Sequence, residues 1–206
     1  MLAVFLSFVV TCVVIELTPG PNMAYLAVLS AANGRRAGYA ATLGIALGLL
    51  LIGLAAALGV ATLISHSPLA YEILRWGGVA YLLWLAWDGW RDETETSPGT
   101  TDVKQQHRKF FRRGLIVNLL NPKAAFFYVA ILPGFIVVDH AAVLQAVMLT
   151  VTYVLVATTI HTVIVTLAGS IQAFLTTGQR RLILRRFFSL LLVGIALWLG
   201  WSLRSV

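Results

Sequence analysis

The stretch ELTPGPN, residues 16–22, decides how the whole sequence is interpreted. It places a carboxylate, two prolines and an asparagine at the end of a strongly apolar run. Pro19 and Pro21 lack the backbone donor that a helix needs and disfavour α-helix for the residues before them. The chain from Thr18 to Gly20 should therefore be non-helical, and Pro21 should begin a new half-helix. The sequence predicts a first helix that is broken near its middle.

The composition indicates an integral membrane protein. The 206 residues are 59% hydrophobic and only 11% charged, whereas a soluble domain carries about 25% charged residues. A helix needs roughly 20 mainly apolar residues to cross a membrane, so six crossings would nearly exhaust the chain and leave no room for a soluble catalytic domain. The first apolar run lacks the basic start and the small-residue cleavage site of a signal peptide. We expect it to be retained as a membrane helix.

Hydropathy and helix breakers divide the chain into six apolar segments. These segments lie near residues 1–33, 38–64, 69–91, 111–137, 141–169 and 183–204, with interruptions at 18–21 and near 121. The third segment is the weakest because Glu72, Arg75 and Asp88 interrupt it. The polar stretch 92–110 is expected to be a cytoplasmic linker between two three-helix repeats, 1–91 and 111–206.

The basic residues indicate how the segments are oriented. Most of the 15 Lys and Arg residues lie in the connections after segments one, three and five, whereas the connections at 65–68 and 138–140 contain none. The positive-inside rule then places the basic connections in the cytoplasm and both termini outside. The net charge of +7 is thereby explained without nucleic acid. Three segments per half give the halves opposite orientations, so the predicted fold is all-α, with six transmembrane helices in a 3+3 inverted repeat.

The second half carries a break that matches the first. The stretch PNMAYLAVL at 21–29 aligns with PKAAFFYVAIL at 122–132, so that Pro21 corresponds to Pro122. Asn121 is a favoured N-cap and Pro122 a favoured first helical position, which predicts a second half-helix starting there. Both breaks would expose helix N-termini at membrane depth, where free N–H groups and a partial positive charge suit an anion.

Lys123 and Glu16 are the charged candidates for a binding site. A lysine in the first turn of a helix opposes the helix dipole and costs several kcal/mol inside a membrane. Its placement is explained if an anion lies in front of it. That anion is either Glu16, in a structural ion pair, or a substrate carboxylate, and the two can alternate along a transport cycle. Glu16 is also the natural proton carrier, with a capping or interfacial carboxylate as the alternative.

Three amides and a histidine complete the predicted site. Asn118 and Asn121 lie three residues apart on one face of segment four, and Asn22 lies symmetrically in the first half. Amides both donate and accept, so these side chains suit a zwitterionic substrate, although capping and helix–helix hydrogen bonds explain them equally well. His161 lies in the centre of segment five, where it could relay protons or bind a neighbouring helix.

Together, TPGPN at 18–22, the basic turn GRRAG at 34–38 and NPKAAFF at 121–127 resemble the LysE/RhtB family of bacterial amino-acid exporters. The resemblance covers essentially the whole chain. It implies a multi-pass carrier of the bacterial inner membrane that expels amino acids or close derivatives, uses the proton gradient, and has a homodimer as one possible assembly. The signature breaks of the family fall at Pro19, Gly20, Pro21 and Asn22 in the first half, and at Asn121, Pro122 and Lys123 in the second.

The substrate and the competing functions follow from the same residues. The family spans basic, small neutral and branched amino acids and homoserine lactones. Because Glu16 is the one clear carboxylate in the segment cores, a neutral amino acid or a homoserine-type substrate is favoured. A metal-cation permease is the alternative, but Glu16, Cys12 and His161 are few ligands for a metal and Lys123 would repel one. No enzyme motif lies at membrane depth, so we expect neither catalysis nor a cofactor.

Overall fold

The computed structural model describes residues 2–58, 68–91, 103–136 and 142–172, with 186–187, 189–194, 196–197 and 201. These residues are helical in the main and include no strand. The helices are α1 (Leu2–Leu17), α2 (Pro21–Asn33), α3 (Arg35–Ala57), α4 (Pro68–Arg91), α5 (Val103–Leu119), α6 (Pro122–Phe126) and α7 (Ala142–Gln172). A π-helical turn (Phe127–Ile131) and a 3₁₀ turn (Leu132–Phe135) continue the chain after α6.

Both predicted helix breaks are confirmed. Helices α1 and α2 are bent by 57° relative to each other, and α5 is bent by 52° relative to the segment that begins with α6. Pro21 and Pro122 each stand at the start of the new helix. Gly20, directly before Pro21, has extended backbone, which is the conformation that a following proline favours.

The described residues contain two to four candidate membrane spans. Helices α3 and α7 are each long and apolar enough to cross a membrane, and each bent pair passes the same test as one span. These spans correspond to predicted segments two, five, one and four. Helix α4 forms where segment three was expected but is not among them, and half of 183–204 lies outside the described residues. The arrangement of six spans as an inverted repeat therefore stays a prediction.

Helix α5 begins earlier than the sequence indicated. Residues 92–110 were expected to form a polar linker, but α5 already starts at Val103. The stretch VKQQHRKF at 103–110 contains no glycine or proline and is rich in lysine, glutamine and arginine, which are good helix formers. The helix therefore runs into the stretch predicted to be a linker, and the division of the chain at 92–110 stays a prediction. The part of the linker at 92–102 lies outside the described residues.

Small residues bring α3 close to α5. A Cβ added at Gly44 would collide with the backbone carbonyl oxygen of Phe111, and one added at Gly114 would collide with that of Ala41. The backbones of the two helices are therefore in direct contact, as in other membrane helix pairs with small residues at the interface. This close approach brings the end of α5, with Asn118, against α3.

Helix α7 buries one face and exposes the others. Its buried residues recur every three or four positions, which places them on a single face; they are Ala146, Thr150, Tyr153, Ala157, His161, Val165 and Gly169. Large apolar side chains such as Leu144, Leu155 and Leu167 are exposed, as expected where lipid replaces water around a helix. Helix α1 likewise buries a single stripe, which consists of Phe8, Cys12 and Glu16.

Candidate functional site

A small cavity lies where the two helix breaks meet. It is lined by Glu16, Gly20, Asn22, Met23, Asn121, Lys123, Ala124 and Tyr153. Its volume of about 10 Å³ is roughly what a single water requires. Five of the lining residues belong to the site predicted from the sequence. The breaks therefore bring the predicted residues together, but an amino acid would fit only after the surrounding helices separate.

Lys123 reaches from the second break to the first. The half-buried side chain crosses over Gly20, and its Nζ donates a hydrogen bond of 2.7 Å to the backbone carbonyl oxygen of Thr18. Thr18 lies just beyond the end of α1, where helix carbonyls lose their partners within the helix. The lysine thus binds a polar group that the first break has set free.

Glu16 also lines the cavity and takes its partners from α7. Glu16 is only 4% exposed. The Tyr153 hydroxyl donates to Glu16 Oε1 at 2.5 Å, and His161 Nε2 lies 3.2 Å from Glu16 Oε2. The imidazole is within ion-pair distance, although its N–H is not aligned as a hydrogen bond.

The opposite charges of Glu16 and Lys123 attract each other without direct contact. The carboxylate contributes an electrostatic attraction at the ammonium group, yet the ammonium binds the Thr18 carbonyl oxygen instead. The structural ion pair that the sequence left open is therefore not formed between these two described residues. A cation and an anion instead line one cavity, each held by another partner.

Asn22 and Asn118 form a buried amide pair between the two halves. Asn22 Nδ2 donates to Asn118 Oδ1 at 2.8 Å, and the two residues are 5% and 0% exposed. The remaining amide atoms, Asn22 Oδ1 and Asn118 Nδ2, have no partner. A Cβ at Gly48 would lie only 2.7 Å from Asn118 Nδ2, so a glycine is required where this amide packs. An acceptor and a donor stay available beside the cavity at a cost in stability.

Asn121 confirms the predicted N-cap. Its side-chain oxygen accepts the backbone N–H of Lys123 at 3.1 Å, so one of the backbone donors expected to face an anion is already occupied. At the first break, Gly20 makes no side-chain cap for α2. At the second break, the ammonium group of Lys123 is therefore available to a substrate, whereas its backbone N–H is already bound to Asn121.

Tyr153 was missed by sequence reasoning. It lines the cavity and hydrogen-bonds Glu16, although it lies far away in the chain. The available signal was helical spacing, because Thr150, Tyr153 and His161 are polar residues that share one face of an apolar helix. That spacing predicts a polar stripe facing the protein interior, but it does not identify which carboxylate the stripe meets.

The structure offers no support for the metal-cation alternative. Across the described parts of the chain, no group of three or more His, Cys, Asp or Glu side chains is placed to hold a metal ion. The single cysteine of the sequence, Cys12, is a buried free thiol one turn before Glu16.

The fold and the site together define a class of protein. Proline-broken membrane helices that meet at a polar site are typical of secondary transporters, and this chain has two such breaks around one charged cavity. The chain belongs to the family of LysE type translocators, whose family model matches residues 13–202. The resemblance seen in the TPGPN and NPK motifs is thereby confirmed.

Relatives extend this similarity over nearly the full chain. A homoserine/homoserine lactone efflux protein of Salmonella typhimurium is 33% identical over 93% of this chain and 94% of its own length. A leucine efflux protein of Klebsiella pneumoniae is 34% identical over 66% of this chain and 64% of its own. An uncharacterized membrane protein of Vibrio cholerae is 36% identical over 65% of each chain. No solved structure matches the chain.

Proposed function

We propose that this protein is a secondary transporter of the bacterial inner membrane that exports small neutral amino acids, including homoserine-type substrates, in exchange for protons. The observation that carries the proposal is the pairing of Lys123 and Glu16 across one cavity without a direct ion pair. A structural pair would be expected to close on itself, whereas separated charges of opposite sign suit a zwitterion.

The substrate carboxylate is assigned to Lys123. In the described conformation the ammonium binds the neutral Thr18 carbonyl. A carboxylate accepts the same kind of hydrogen bond as the carbonyl oxygen and adds the attraction of a full negative charge to the ammonium, so a carboxylate can replace the carbonyl. The free donor of Asn118 and the free acceptor of Asn22 provide one further hydrogen bond for each end of the substrate.

The substrate amine is assigned to Glu16. The two relatives named above for transport are efflux proteins for homoserine or its lactone and for leucine. An α-amino group is shared by all three compounds, whereas the lactone has no free carboxylate. An anion that binds the amine therefore serves every one of these substrates. Glu16 is the one buried carboxylate among the described residues, which matches a neutral amino acid better than a dibasic one.

Proton coupling is assigned to Glu16 with His161 beside it. A proton and a substrate ammonium compete for the same carboxylate, so arrival of one releases the other. This competition exchanges one positive charge for another at a buried site and avoids leaving an unpaired charge there. Rocking of two inverted halves, with both termini outside, would give access from alternate sides; the similar bends of the two breaks support this arrangement.

Transport by reconstituted vesicles tests the proposal. Vesicles with an acidic interior should accumulate labelled homoserine and leucine, because protons leave as substrate enters. Lys123→Met removes the charge and keeps the length of the side chain, and we expect it to reduce transport of both amino acids by about tenfold to a hundredfold. Lys109→Met, at an exposed position of α5, is the matched control and should transport normally.

Homoserine lactone separates the role of Lys123 from a structural one. Because the lactone lacks a carboxylate, Lys123→Met should impair its transport much less than that of homoserine. An equal loss for both compounds would show that Lys123 supports the fold and does not recognise a carboxylate. If folded wild-type protein moves none of the three compounds under any pH gradient, the proposed substrate class is wrong.

A further inference from the structure

Tyr153 is connected to both helix breaks at once. The residue is 1% exposed, and its hydroxyl donates to Glu16 at the end of α1. Its ring stacks on the ring of Phe127, with centroids 3.7 Å apart and planes inclined by 18°. The hydroxyl of Tyr153 therefore binds the helix that ends at the first break, and its ring packs against the segment that follows the second break.

Phe127 links this stack to Lys123. It begins the π-helical turn directly after α6, the short helix that carries the lysine. Such turns are rare and are frequently found at functional sites. The ring of Phe127 also contacts Phe8 of α1, with centroids 6.1 Å apart. A displacement of Tyr153 would therefore be transmitted through aromatic contact to the segment that positions Lys123.

None of the other described groups around Glu16 takes the place of Tyr153 at Oε1, because the His161 imidazole approaches Oε2. His161 faces it from α7, Cys12 from the previous turn of α1, and Lys123 and Tyr128 from the second half. The histidine is close but misaligned, and the Tyr128 hydroxyl is buried without a partner. Tyr153 supplies the aligned hydrogen bond to the carboxylate.

We infer that Tyr153 is a positioning residue that couples the charge state of Glu16 to the placement of the Lys123 segment. This inference rests on the proposed function. While Glu16 is ionised, its charge-assisted hydrogen bond holds the phenol, and the stacked ring holds Phe127. When a proton or a substrate ammonium neutralises the carboxylate, the hydrogen bond from the phenol loses charge assistance and weakens. The aromatic stack is then held less firmly and can move with the second break.

Two tyrosines of similar burial provide a matched test. Tyr153→Phe removes the hydroxyl that binds Glu16 and keeps the ring stack. Tyr128→Phe removes a hydroxyl that has no partner from a ring 5.5 Å away, measured between centroids. Two rates are measured for each: accumulation of labelled homoserine driven by an acidic interior, and exchange of labelled for unlabelled homoserine at equal pH on both sides.

The two tyrosine variants are expected to differ both in the pH dependence of exchange and in the rate of gradient-driven accumulation. Exchange needs ionised Glu16, so it is lost as pH falls. Without the hydroxyl the ionised form is less stabilised, and the pH midpoint of exchange in Tyr153→Phe should move upward by about one unit. Gradient-driven accumulation should fall about tenfold relative to exchange at its own optimum. Tyr128→Phe should match wild type in both measurements.

A second variant tests the other end of the link and does not depend on the first. Phe127→Leu keeps the Tyr153 hydroxyl on Glu16 but removes the stack. Its exchange midpoint should stay unchanged while gradient-driven accumulation falls. The inference is overturned if Tyr153→Phe behaves like Tyr128→Phe, or if both rates fall equally in Tyr153→Phe and Phe127→Leu with unchanged midpoints. Failure of wild type to move any amino acid would instead overturn the proposed function.

Discussion

The two helix breaks have nearly the same bend, 57° and 52°, but they are stabilised differently. The second break is capped from within, because the Asn121 side chain binds the backbone of Lys123. The first break has no side-chain cap at Gly20. The Thr18 carbonyl, which lies beyond the end of α1, instead accepts a hydrogen bond from Lys123 of the other half. The second break is thus locally complete, whereas the first depends on the second.

This difference connects binding to conformational change. If Lys123 leaves Thr18 to bind a substrate, the first break loses an interaction while the second keeps its cap. The other contacts at the site also cross between the halves, through the Asn22–Asn118 amide pair and the Tyr153–Glu16 hydrogen bond. The cavity therefore lies between the two halves of the chain, and the contacts that join these halves there must change together when the halves move.

The largest effect is expected from the buried amide pair, which ties the first break to α5. Asn118→Ala leaves Asn22 Nδ2 without its acceptor in a buried position and should destabilise the protein by about 1–3 kcal/mol. Asn22→Ala should have a similar effect. The double variant should cost clearly less than the sum of the two, because both changes remove one shared bond. Unfolding of purified protein in detergent measures all three.

Additive losses would show that the two amides act independently, and the first break would then need another explanation for its stability. Thr159→Ala is a suitable control, because this exposed hydroxyl of α7 binds only within its own helix, to the Leu155 carbonyl, at 2.8 Å among the described contacts. It should change the free energy of unfolding by less than about 0.5 kcal/mol.

The breaks themselves could be predicted from the sequence because their causes are local. Proline restricts its own backbone and that of the preceding residue, so Pro21 and Pro122 mark both bends without any knowledge of tertiary structure. The Asn121 cap follows from the same local rules. Local reasoning did not indicate that the helix starts as early as Val103, because a polar sequence is compatible with both a linker and a helix.

The partners across the cavity could not be predicted, because they depend on tertiary packing. Tyr153 and Glu16 are 137 positions apart in the chain, and an apolar helix gives no sign of which carboxylate its tyrosine will meet. The acceptor of Lys123 is a backbone carbonyl, which has no signature in the sequence. Sequence chemistry therefore predicted five of the eight residues that line the cavity, but not the bonds between them.

A smaller effect is expected at the cap of the second break. Asn121→Ala should reduce stability by about 1 kcal/mol, because the N–H of Lys123 loses its partner. Asn121→Ser keeps a capping oxygen and should restore both stability and transport of homoserine. If the serine variant is stable but transports no better than the alanine variant, the amide of Asn121 binds the substrate directly, and the two breaks are more alike than their caps indicate.

The smallest effect is expected from Gly20→Ala at the first break. The extended backbone of Gly20, with φ −159°, is open to any residue, so no strain arises. The new Cβ would lie 3.2 Å from Lys123 Cδ and 3.6 Å from Nζ, and a flexible side chain can yield by that amount. Loss of a favourable cap residue is offset by reduced freedom of the unfolded chain, so the free energy of unfolding should change by less than about 0.5 kcal/mol.

Transport by Gly20→Ala should respond more than stability, because the lysine is displaced from Thr18. An unchanged KM for homoserine, with Gly77→Ala in α4 as the control, would mean that the Lys123–Thr18 contact does not limit substrate binding.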